Sequence, residues 1–191
     1  MSAQPSSPAA ETAAETAPPQ VSMTLEEALA YGLECHRADD LDQAEAVYQA
    51  VLQRQPERAE VLNWLGILKH QRGELAAPAA LMRRVIELQP EADGVWNNLG
   101  NVLLQLEEVD EAGAAFRRSI ELVPTPEAWA NLARVFRRHQ DAGRSERAAR
   151  NALALAPEHG PATHNLALAL ILQHRFDEGV ETALRAMQLL A

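Results

Sequence analysis

Three residue types in this 191-residue chain could do chemistry at a spacing that repeats. Asparagines stand at Asn98, Asn131 and Asn165, 33 and 34 residues apart, with further amides at Asn63, Asn97 and Asn101. A carboxamide donates and accepts through one flat group, so a row of them can pair with peptide N–H and C=O groups without reading side chains. Arginines cluster at Arg134, Arg137 and Arg138 and again at Arg144, Arg147 and Arg150, offset between 134 and 150 only by Asp141 and Glu146. Their guanidinium forks suit carboxylates, which they can grip through two parallel hydrogen bonds. His36 and His70 recur 34 residues apart, and Trp64 stands on the register of the three spaced asparagines.

Catalysis would need converging groups, and their signatures are missing. The chain has no glycine-rich phosphate loop, no G-x-S-x-G and no H-E-x-x-H. His159 and His164 are poorly spaced to share a ligand on one helix, and His36 with His70 lack a third ligand for a metal. Cys35, the single cysteine, cannot form an internal disulfide and reads as a small buried hydrophobe. We expect no enzymatic activity, no metal and no cofactor.

The elements that position these residues follow from composition. Hydrophobic residues make up 47% and aromatics only 4%, with alanine abundant, which favours helices at close approach and an all-α fold. The net charge of −10 repels phosphate backbones, so nucleic acid is not an expected partner. No apolar run approaches the roughly 20 residues that span a bilayer. The start, Met1-Ser2-Ala3-Gln4-Pro5, lacks a basic segment followed by an apolar core. A membrane partner is therefore not expected, and a cytoplasmic location is. Residues 1–22, rich in Ala, Pro, Ser and Thr, read as a disordered leader.

Beyond the leader the sequence repeats. Pro56, Pro90, Pro124 and Pro157 are 34, 34 and 33 residues apart. Aligning on them superposes Gly32, Gly66, Gly100, Ala133 and Ala167, each preceded by leucine except in the first unit, where Tyr31 stands. In the second half of each unit small residues (Ala44, Ala112, Ser145, Gly179) are followed four residues later by Tyr48, Phe116, Ala149 and Ala183. Met82 takes that later place in the second unit, whose small residue is replaced by Pro78, expected in the first turn of its helix or as the cause of a late start. W-x-x-L-G followed by A-x-x-x-F and a closing proline resembles the tetratricopeptide repeat, in a bacterial-type array similar to the repeat region of O-GlcNAc transferase. The units are 25–58, 59–92, 93–125, 126–159 and 160–191, forming one array over 23–191.

The resemblance implies a right-handed superhelical solenoid of five helix–turn–helix units, with first helices lining a concave groove. It places Asn98, Asn131 and Asn165 in that groove as a ladder, about 10 Å between rungs. Arg134, Arg137 and Arg138 should face the same groove, with Trp64 and His70 flanking one end, beside Asn63, Asn97 and Asn101. The related two-carboxylate clamp for chaperone tails is not matched: Asn101 and Asn131 fit, but Asn97, Pro161 and Asn165 stand where bases are needed. The expected function is a protein-interaction scaffold that binds an extended, acidic peptide. The last unit, with Ala183, Ala186, Met187 and Leu190 on one face, lacks a polar covering helix. That motivates two further expectations: a homodimer through this unit, or a substrate-recruiting region of a larger enzyme such as a glycosyltransferase.

Overall fold

The computed structural model describes residues 23–191, so the expected leader lies outside the described residues. Among them are ten helices: α1 (Leu25–Arg37), α2 (Leu41–Arg54), α3 (Ala59–Gln71), α4 (Ala76–Leu88), α5 (Asp93–Gln105), α6 (Val109–Leu122), α7 (Pro126–Arg138), α8 (Ala142–Leu155), α9 (Gly160–Leu172) and α10 (Phe176–Leu190). Each packs on its chain neighbours, and α3, α5, α7 and α9 also touch in that order, so the odd helices form one continuous surface. That is the layout of a stacked array, in which each pair buries its apolar stripe against the next. No helix among the described residues is long and apolar enough to cross a membrane.

The starts and stops are written locally. Thr24 accepts from Glu27 N–H while the Glu27 carboxylate accepts from Thr24 N–H, a reciprocal cap that opens α1. Asp40, Thr125, Asp141 and His159 cap α2, α7, α8 and α9 through their side chains. Pro78 is the third residue of α4, where its missing N–H costs no intrahelical bond, and α4 starts one residue late in the repeat register. Within each pair the turn passes through one left-handed residue: Asp39, Gly73, Glu107, Gln140 or His174, with φ between 58° and 78°. Only Gly73 occupies that region freely; the other four bear a cost of roughly 1 kcal/mol each. The turn offsets it by returning an N–H to the helix end, as from Asp40 to the Cys35 carbonyl at 2.9 Å. Gly143 lies in the first turn of α8, and Gln140 takes the left-handed position before it.

The core follows the small–large alternation. A Cβ on Gly100 would meet the Phe116 ring at 2.5 Å, so glycine there is what lets α6 set its aromatic residue against α5. In the fourth unit the glycine and aromatic become Ala133 and Ala149, both fully buried, a trade that adds a methyl on one side and removes a ring on the other. Cys35 is buried, as its register requires.

Candidate peptide-binding surface

The surface of the odd helices is built from residues at the groove-facing places of the repeat. Asn97 sits on α5 and Asn131 on α7, and the Asn131 amide donates to Asn97 Oδ1 at 3.0 Å, bridging the two helices. Arg134, one turn on, donates to Asn131 Oδ1 at 3.1 Å. Asn97, Asn131 and Arg134 thus form one half-buried chain across two units. Asn98 and Asn101 are half-buried on the same helix as Asn97 and keep their amides free of side-chain partners among the described residues. Asn63, the equivalent of Asn97 one unit earlier, has its Oδ1 sealed from water with no partner. A buried acceptor left unmatched is costly.

The arginines divide into two groups. Arg134 and Arg137 are half-buried and neither meets a carboxylate among the described residues, while the Nε of Arg137 is sealed without an acceptor. Burial, with the nearby Arg137 and Arg138, pushes the Arg134 guanidinium below the usual arginine range. It stays cationic, so the site holds unneutralised positive charge in a protein of net charge −10. Arg138 is exposed and pairs with Glu107. On α8, by contrast, Arg144 binds Asp141 at 3.3 Å and lies 5.8 Å from the Phe136 ring centre, and Arg150 binds Glu146 at 2.8 Å. Their acids come from the same unit, so these arginines belong to a balanced outer face.

Three expected site residues are placed differently. Asn165 is buried and its amide donates to the Ala130 carbonyl at 2.9 Å, which makes it a tie between α7 and α9 rather than a rung open to a ligand. The cause is the residue opposite: Asn131 meets a side-chain amide at Asn97, whereas Asn165 meets Ala130, whose short side chain leaves the backbone carbonyl in reach. Trp64 lies against Tyr48, ring centres 5.9 Å apart, and packs with the first core cluster. His70 does sit on the odd-helix surface, but bonded to Gln105 at 2.9 Å; His36 repeats the bond to Gln71 at 2.9 Å. The two histidines therefore tie successive units and do not stack on each other. Gln71 and Gln105 were missed as members of this surface, although their 34-residue spacing matches that of the histidines.

Past the arginines the surface changes character. The places of Arg134, Arg137 and Arg138 are taken in α9 by Leu168, Ile171 and Leu172, the last 48% exposed. A shallow pocket lies elsewhere, lined among the described residues by Gln55, Pro56, Glu57 and Arg58, of which Arg58 already donates to Gln55 Oε1 at 3.1 Å. The amide and arginine surface is open, as suits an extended chain rather than a small molecule.

A family model for the tetratricopeptide repeat matches residues 36–93 and again 76–127. No curated protein matches by sequence. Among solved structures, the fold is shared with MamA (residues 41 to the end) from Desulfovibrio magneticus RS-1 at TM-score 0.78 and 17% identity, over 86% of this chain and 94% of that one. PilF of Pseudomonas aeruginosa superposes at TM-score 0.75 and 15% identity, over 86% and 75% of the two chains. YrrB, described as a TPR protein with an unusual peptide-binding site, superposes at TM-score 0.72 and 16% identity, over 87% and 86%.

Proposed function

The chain belongs to the tetratricopeptide repeat family, and on that footing we propose that it is a non-catalytic interaction module that holds an extended, acidic segment of a partner protein on its odd-helix surface. One observation carries the reading: among the described residues, Arg134 and Arg137 are half-buried cations with no carboxylate of their own, and Arg137 Nε lacks an acceptor. A carboxylate from a partner would supply the missing acceptors in the charge-assisted geometry that guanidinium favours. The amides of Asn98, Asn101 and Asn131 would then hold the segment's backbone, each bond adding about 0.5–1.5 kcal/mol. Leu168, Ile171 and Leu172 lie one unit further along, about 10 Å, or some three residues of extended chain. The preferred segment therefore carries an acidic residue and, about three residues away, a large aliphatic one.

A peptide array of random segments tests this. Captured sequences should be enriched in Asp or Glu, and Arg134→Ala with Arg137→Ala should cost at least about tenfold in affinity for them, equivalent to about 1.4 kcal/mol. Added salt should weaken the wild-type binding. Captured sequences with no acidic bias would sink the proposal.

A further inference from the structure

The two ends of the array follow opposite rules. In α3, α5, α7 and α9 the places that press on the preceding unit are buried and apolar: Val61, Val95, Ala128 and Ala162 in the first turn, and Leu68, Val102, Val135 and Ala169 two turns on. In α1 those places hold Glu27 and Glu34, both exposed. Tyr31, between them, is 40% exposed where the other units bury leucine. Stacking another helical pair on this face would strip two carboxylates of water.

α10 is the reverse. Met187 takes the place of Leu52, Ile86, Ile120 and Leu153, each half-buried and packed into a core cluster at the junction with the following unit. Leu184 takes the place of Gln49, Arg83, Arg117 and Arg150, which are exposed polar residues in every earlier unit. Phe176, Val180, Leu184 and Met187 recur at i, i+4, i+8 and i+11 on one helix face and are 55–69% exposed. Ala186, by contrast, is turned inward and fully buried, and Ala183 is half-buried, so of the face the sequence periodicity suggests only Met187 and Leu190 are exposed. Contiguous apolar patches of about 300–600 Å² are the largest on monomers and are often functional.

We propose that this stripe is the interface between two copies of the chain, α10 against α10 about a two-fold axis near Leu184. Head-to-tail docking would set Glu27 and Glu34 of one copy on the apolar stripe of the other, beside its Asp177 and Glu181. Arg185, the single base of α10, is turned to the Pro157 carbonyl, to which it donates at 3.1 Å, and one cation does not balance these four carboxylates. The acidic α1 face therefore blocks open-ended growth, whereas the two-fold pairing matches apolar surface to apolar surface and closes after two copies. Two patches of about 500 Å² each, within that range, would bury about 1,000 Å², where specific interfaces begin. The odd-helix surface plays no part in this contact, so the dimer and the peptide site stand or fall separately.

Sedimentation equilibrium of the full chain over a range of concentrations should give twice the chain mass, falling to one copy on dilution. Leu184→Glu with Met187→Glu should leave the helical circular dichroism unchanged and weaken self-association at least about 100-fold. Leu184→Cys should be joined into a covalent dimer by a short bis-maleimide, since Cys35 is buried, and Tyr31→Cys should not. A monomer at every concentration, as when another part of the chain covers the stripe, overturns the proposal. So do masses beyond two copies, or a mixture in which Tyr31→Cys cross-links to Leu184→Cys.

Discussion

The junction between the third and fourth units and the junction between the fourth and fifth use the same repeat places for different ends. At the first, Asn131 reaches a side chain, Asn97, and the pair stays at the surface with Arg134 attached. At the second, Asn165 reaches the Ala130 backbone and is sealed. The outer side of that second junction is closed as well: Glu146 accepts from Gln173 at 2.8 Å and from Arg175 at 3.0 Å, gripping the turn between α9 and α10. One junction is left open on the odd-helix surface and the other is locked on both sides. Whether a repeated asparagine stays at the surface or is sealed between units is thus decided by the residue the previous unit sets opposite it.

The lock should give the largest effect. Burial alone would raise the Glu146 carboxyl, but hydrogen bonds from Gln173, Arg150 and Arg175 overcome it and hold it at about 2. A depressed folded pKa means the stabilisation is whole above the ordinary value of 4.5 and is lost as pH falls through about 2. Glu146→Gln should therefore cost about 2 kcal/mol in urea unfolding at neutral pH, the range for bonds to a charged group. The gap to wild type should close as pH falls below about 4.5. A gap that persists undiminished in acid would mean that the carboxylate is not what closes the junction.

Asn165→Ala comes next. It removes the tie from α9 to the Ala130 carbonyl, which keeps its own bond within α7, and leaves a small gap where the buried amide stood, together a loss of about 1–2 kcal/mol of folding stability. Peptide affinity should stay within about twofold, or roughly 0.4 kcal/mol. A fall in affinity matching that of the open-junction amides would return Asn165 to the ladder and erase the contrast between the junctions.

The repeat itself was fully legible, because its small–large pairs, closing prolines and caps are local patterns that packing reinforces: Gly100 against Phe116 is the same statement in sequence and in space. The candidate surface was legible only by register. Register placed Asn97, Asn131 and Arg134 on one face, yet Asn165, identical in register to Asn131, is buried through a contact 35 residues away that periodicity does not encode. The exposed stripe of α10 was read only in part, Met187 and Leu190 but not Val180 and Leu184, for a related reason. Ala183 and Ala186 match the helical period as well as Val180 and Leu184 do, and only the position of α9 decides which arc faces water.

The smallest effect tests the open junction directly. Asn131 is half-buried, so when its amide is removed water can reach Asn97 and Arg134, and unfolding stability should hardly change. Its loss should instead appear in affinity for a captured acidic peptide, at about 0.5–1.5 kcal/mol, the worth of one backbone-directed bond. Asn131→Ala and Asn165→Ala then form opposite profiles from one repeat place, one moving the binding isotherm and the other the unfolding midpoint. If Asn131→Ala lowered the unfolding midpoint as far as Asn165→Ala while leaving the isotherm in place, both asparagines would be inter-unit ties, and the binding surface would reduce to the arginines and the aliphatic residues of α9.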